Sequence, residues 1–265
     1  MRSLLRACIS AFWISVRLKV VSPWAYLNWL VFPLIFATVG LYVLSLPTAG
    51  MGAAGSHLVY GILGGGLIGY WSDAYIDGGN GIQDERWNGT LEQLFGTPTP
   101  LWVVILGKVW GALLFGFLAF LPTAALGFFG FHAVLPHLDP WRFVISLGVL
   151  TFAFFCIAQA LTPLFALWRW AFSMVNGFEL GVYVLCGFMF PIAVLTPWLQ
   201  GIAGALAPTW AVRALYASTL AEGPHDFVAW WLYSIGLSFI FLIGAYFLYA
   251  LVEREARVSG QLALA

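Results

Sequence analysis

Apolar runs of about 20 residues, the length that carries an α-helix across a bilayer core, recur at 24–46, 57–76, 101–130, 143–167, 177–196 and 227–251. They predict an all-α integral membrane protein of six transmembrane helices, a single transmembrane domain over 1–265. Ahead of the first run, Leu5, Ile9, Phe12, Trp13, Val16 and Val20 recur at helical spacing, with Arg2, Arg6, Arg17 and Lys19 largely on other faces. Residues 1–22 therefore read as an amphipathic helix lying in the interface; a longer, tilted first span is the other reading. Between the fifth and sixth runs the chain stays apolar from Gly187 to Trp210 but carries Pro191, Pro197, Pro208, Gly201 and Gly204. A seventh crossing there would move Arg254 and Arg257 outside, so 197–224 is expected to be a re-entrant helical pair in the outer leaflet. Backbone of that kind is tolerated at membrane depth only where protein or a water-filled cavity covers it.

Charge orients the spans. With six crossings, Arg2, Arg6, Arg17, Lys19, Arg86, Lys108, Arg169, Arg254 and Arg257 fall on one face and only Arg142 and Arg213 on the other. The positive-inside rule then places both termini in the cytoplasm and the 77–100 loop with them. Lys108, in the first turns of the third span, is expected to snorkel back to the interface. Trp24, Tyr26, Trp102, Trp168, Trp170, Trp198, Trp210, Trp230 and Trp231 cluster near predicted span ends, as an aromatic belt does.

Composition agrees with this reading and narrows the function. The 265 residues are 62% hydrophobic and only 8% charged, with mean hydropathy +0.93, well beyond the roughly 45–50% apolar usage of soluble domains. A net charge of zero leaves no basic field for nucleic acid. Cys8, Cys156 and Cys186 are widely spaced, without a CxxC pair, and suggest neither disulfides nor a metal site. Arg17 and Lys19 interrupt the first apolar stretch and no small-residue cleavage site follows, so a removable signal peptide is not expected. His57, His132, His137 and His225 are scattered without HExxH spacing, and Gly107-Lys108 lacks the rest of a P-loop. Any ATP used must be bound by another chain.

Against this background Asp84-Glu85-Arg86-Trp87-Asn88-Gly89-Thr90-Leu91-Glu92-Gln93-Leu94-Phe95-Gly96-Thr97-Pro98 forms a polar island. Thr90 can cap a short helix over 90–95 that sets Leu91, Leu94 and Phe95 on one side, and Thr97-Pro98-Thr99-Pro100 stops it. Apolar side chains beside a charged rim suit a partner's groove; a solvated loop helix is the plainer use. Gly61, Gly65 and Gly69 make a small-residue face on the second span, open to packing within the chain or to pairing of two copies. Asp73, Asp77 and Glu179 are the acids nearest to lipid. Asp73 and Glu179 are candidates for a substrate pathway, since acids in spans are costly; an interfacial carboxylate, or a polar exit from the second span, is the alternative.

The island resembles the E-R-x-x-GTLE-x-L-x-x-TP signature in the membrane subunit of ABC-2 type exporters, similar in architecture to type V ABC exporters. Gly187, Pro191, Pro197, Trp198, Pro208-Thr209 and Arg213 resemble that family's fifth span and re-entrant segment, and Glu253-Arg254-Glu255-Ala256-Arg257 before Gly260 its short cytoplasmic tail. The resemblance implies a permease of the cytoplasmic (inner) membrane, paired with a second copy or close paralogue and with two separate ATP-binding subunits. ATP and magnesium are then expected on those subunits, with no cofactor on this chain. It also implies that Glu85, Arg86, Gly89, Thr90, Leu91 and Glu92 carry the ATPase-coupling contact within the 77–100 loop. Pro191, Pro197, Pro208 and Arg213 would belong to the re-entrant segment. The implied cargo is an amphiphilic drug-like or lipid-like molecule, with polysaccharide or glycolipid export as the nearest rival. A membrane scaffold or sensor working with an ATPase is the rival of another class.

Overall fold

A computed structural model describes residues 2–44, 56–77, 81–82, 85, 88–90, 93, 96–97, 99–132, 138–167, 175–220 and 226–259, for a few of them the backbone alone. Every regular element among these residues is helical. Helix α1 covers Arg2–Val21; α2 (Pro23–Tyr26) passes through a π-helical turn, Leu27–Val31, into α3 (Phe32–Leu44). Helix α4 (Ser56–Ser72) ends in a second π-helical turn, Asp73–Asp77. Helices α5 (Leu101–Phe117) and α6 (Phe120–Ala125), with a third such turn over Leu126–Gly130, are followed by α7 (Pro140–Leu167) and α8 (Val175–Leu185). A 3-10 turn at Ile192–Val194 precedes α9 (Pro197–Gly204), α10 (Ala207–Ala217) and α11 (Phe227–Ser259). Three stretches, Leu101–Gly130, Pro140–Phe165 and Phe227–Glu255, are long and apolar enough to cross a membrane, as a membrane protein requires.

One predicted boundary is displaced. The run 177–196 reads as a single span, yet its α-helix stops at Leu185. Gly187 adopts φ +70°, the Phe188 amide donates to the Tyr183 carbonyl at 3.1 Å and the Gly187 amide to that of Val184 at 3.2 Å. This is the Schellman termination that a glycine past a helix end permits. Uninterrupted hydropathy hides the stop because the residues beyond it stay apolar. Pro197 and Pro208 then sit in the first turns of α9 and α10, where the missing N–H costs nothing.

Close helix contacts are made at small residues. Gly61, Gly65 and Gly69 of α4 lie against α3: a Cβ added at Gly61 would come within 2.6 Å of Leu41 Cδ2, one at Gly65 within 2.6 Å of Ala37 Cβ, and one at Gly69 would collide with Pro33. The stripe therefore serves packing inside the chain. Helix α1 lies along α5 in the same manner, with Gly107 under the Cys8 carbonyl and Gly111 under Ser15. The core is aromatic: Tyr70, Trp71, Tyr75, Phe154 and Phe188 are fully buried, and Trp71 stacks on Tyr75 at 5.3 Å. Hydrogen bonds between side chains tie the helices, Tyr70 Oη to Thr151 Oγ1 at 2.8 Å and Tyr249 Oη to Gln159 Oε1 at 2.9 Å, satisfying polar groups that lipid could not.

Candidate functional site

Two ion pairs of this apolar chain form near the end of α4, apart from the exposed Arg142–Asp139 pair at the start of α7. Lys19, near the end of α1, meets Asp73, the first residue of the π-helical turn, with Nζ 2.7 Å from Oδ1. Both side chains are buried, at 8% and 1% exposure, and the Lys19 ammonium also faces the Phe115 ring at 5.7 Å. Either charge alone would be expensive there; the pair is tolerable because each neutralises the other. The π-helical turn adds a residue per turn relative to α-helix, so the side chains beyond Ser72 are re-aimed just where Asp73 meets its partner. The cations of α1 and the acids closing the second span were each legible in the sequence. Their pairing depends on α1 lying against α5, which no local pattern announces.

The second pair belongs to the polar island. Lys108 of α5 donates to Glu85 Oε1 at 2.6 Å and to the Gly81 carbonyl at 3.1 Å. Its partners are thus the carboxylate and backbone of the 77–100 segment. The Thr90 hydroxyl donates to Glu85 Oε2, and the Thr90 amide to the Glu85 carbonyl at 2.9 Å. That last bond closes over Gly89, whose φ is +68°, as the Phe188 amide closes over Gly187. Space around Gly89 is open, so its glycine requirement comes from the backbone alone. Thr90 thus closes the turn that contains Gly89, and beyond it the described Gln93 and Gly96 are helical; the other residues of the expected 90–95 helix lie outside the described residues. Of the six residues assigned to coupling, the structure brings Glu85, Gly89 and Thr90 into one clasp on Lys108; Arg86, Leu91 and Glu92 lie outside the described residues.

Burial pushes the Glu85 carboxyl up, but the hydrogen bonds from Lys108 and Thr90 and the charge of Lys108 outweigh it, holding the group below its ordinary value. A carboxyl lowered by folding stabilises the clasp above the unfolded value of about 4.3, and that contribution is lost as pH falls through the lower folded value. Protection of the Thr90 amide from hydrogen exchange, corrected for intrinsic rate, is expected to hold from neutral pH to about 5 and to drop below about 4. In Glu85→Gln the same amide should be less protected and show no such step.

The remaining predicted residues lie elsewhere. Glu179 of α8 is buried and accepts a hydrogen bond from Tyr183, while the neighbouring Phe178 stacks on Tyr75 at 6.1 Å. Pro191 and Arg213 line a cavity of about 490 Å³ between α9, α10, the start of α4 and the start of α11. Trp210 and Trp230, read from the sequence as belt residues, wall that cavity. A second cavity, of about 330 Å³, is bounded by apolar residues that include Leu161, Phe178, Ile240 and Leu248. No protein-family model matches the chain, and no curated protein matches it.

Proposed function

We propose that this chain is the permease subunit of an ATP-driven ABC-2 type exporter of the cytoplasmic membrane. It has six spans, an interfacial α1, a re-entrant pair formed by α9 and α10, and both termini in the cytoplasm. It works as a dimer with two separate ATP-binding subunits. The observation that carries this reading is the clasp: in a chain with so few charges, Glu85, Thr90 and Lys108 fix the start of the GTLE island to α5. The Lys19–Asp73 pair ties α1 to the end of α4. A push delivered to the island would thus reach α5 through a part-buried ionic contact rather than through a slack loop. The wholly apolar lining of the 330 Å³ cavity favours an amphiphilic, lipid-like or drug-like cargo over a polysaccharide, which needs polar and stacking groups along its route.

Purification from the native membrane in mild detergent, with mass spectrometry of what stays bound, tests the reading. A stoichiometric Walker-motif ATPase, lost when the 85–92 stretch is altered, is the expected result. A pure, ATPase-free chain, obtained under conditions that preserve other membrane complexes, would overturn it and favour the scaffold reading. Within the complex, Glu92→Lys, or bulky residues in place of Gly89 and Thr90, are expected to leave the chain folded and ATP hydrolysis running. Export per ATP should fall by roughly tenfold, a typical size for coupling between sites. Unchanged export in vesicles reconstituted with both variants would remove the docking role.

A further inference from the structure

The 490 Å³ cavity stands apart from the ionic clasp. Tyr60 lines it from the beginning of α4, and Asp73 closes the same helix about 20 Å further along at 1.5 Å per residue. The cavity therefore opens at the other end of the bundle. Its size is that of a small-molecule site, several times what a bare phosphate fills. Tyr60 and Tyr216 stack at 4.2 Å and are both buried, giving a rigid apolar wall. Opposite in character, the Arg213 guanidinium lies over the Trp230 ring, its Cζ 4.6 Å from the centroid. Stacking orients the planar fork and leaves its in-plane N–H groups for an acceptor. Gln200 lines the same space, held by hydrogen bonds from its Nε2 to the Leu195 and Ala193 carbonyls at 2.7 and 3.5 Å. Among the described residues that line the cavity, Arg213 carries the only charge.

We propose that this cavity binds an anionic amphiphile, its phosphate or carboxylate on Arg213 and its organic body against Tyr60, Trp210 and Tyr216. A guanidinium pre-oriented on an indole recognises a planar or tetrahedral oxyanion by paired hydrogen bonds. The remaining volume, walled by aromatic rings, rewards an organic group that a free inorganic anion lacks. Binding requires neither ATP nor an ATPase subunit, so it stands or falls separately from the exporter reading.

The test uses the full-length purified chain, stripped of lipid in neutral detergent and followed by calorimetric titration. Dihexanoyl phosphatidate, glycerol 3-phosphate and uncharged dihexanoylglycerol are the probes. Dihexanoyl phosphatidate is expected to bind, to weaken as salt rises, and to lose at least tenfold in affinity in Arg213→Gln; dihexanoylglycerol is expected to bind at least tenfold more weakly. If glycerol 3-phosphate binds far more weakly than the phosphatidate, the ligand is a lipid; if the two bind alike, it is a water-soluble anion. Arg213→Lys, which keeps the charge, should fall between the wild type and Arg213→Gln, which separates loss of the cation from loss of the fold. Absence of binding by both anions, or equal binding by wild type and a folded Arg213→Gln, would overturn the proposal.

Discussion

Asp73→Asn is expected to destabilise the folded chain by about 3–5 kcal/mol, the usual cost of leaving one member of a buried ion pair without the other. The ammonium of Lys19 would then sit beside a neutral amide, sealed from water by α1, α4 and α5. Lys19→Met should cost a similar amount for the opposite reason, taking the cation away from a buried carboxylate. The double variant Lys19→Met with Asp73→Leu removes both charges and fills their volume, and is expected to recover most of the loss. Thermal unfolding in detergent, arranged as a double-mutant cycle, measures this directly. Single variants within about 1 kcal/mol of the wild type would mean that the pair is hydrated, as exposed ion pairs are. The cycle also separates this from a role for Asp73 in a substrate pathway, since a pathway acid would lose transport in the double variant despite its restored stability.

The second large effect concerns the seat of α1 on α5. Gly107 lies beneath the Cys8 carbonyl and beside Ala11, with the Cβ of Ala11 only 2.9 Å from where a side chain would start. Gly107→Leu therefore has no rotamer that fits, and overpacking of this kind costs about 1–3 kcal/mol. Because α1 meets the rest of the chain mainly along α5, that strain is expected to lift α1 instead of spreading through the bundle. Cys8 reports the event: it is half-buried in place, and burial raises its thiol above the ordinary value, which keeps it slow to react. Maleimide labelling of Cys8 should accelerate by about tenfold in the variant, corresponding to roughly 1.4 kcal/mol of easier opening. Cys156 and Cys186 are buried in the core and should stay unlabelled, showing that the bundle is intact. Equal labelling of Cys8 in variant and wild type would mean that α1 is not seated on Gly107.

Hydropathy made the helical content legible almost to the residue in places: the run 101–130 is helical over nearly all its length, and 227–251 lies inside α11. Those helices are long, so a window of average polarity is enough to find them. The stop at Leu185 was not legible, because it depends on one glycine turning to φ +70° in a chain with 29 glycines. At the candidate site, the island's residues stood out by contrast with their surroundings, but Lys108 as their anchor did not. A lysine in the third turn of an apolar helix looks the same in sequence whether it reaches to lipid headgroups or to Glu85. Arg213 and its two tryptophans were likewise visible singly, since tryptophan at a span end has a sufficient interfacial explanation. Their convergence on a cavity is a tertiary fact.

Helix α11 is the long member of the fold, with 33 residues reaching about 50 Å at 1.5 Å per residue. Exposed Val228, Leu232, Phe239, Ile243, Phe247 and Leu251 mark an apolar strip down it, about 35 Å tall on the same count. A hydrocarbon slab of about 30 Å is shorter than that strip. The helix must lean, or the lipid around it must stretch, at a cost of fractions of a kcal/mol for each ångström left uncovered. Membrane thickness thereby acts on this helix as a thermodynamic variable: thickening of the slab relaxes its mismatch, and thinning loads it.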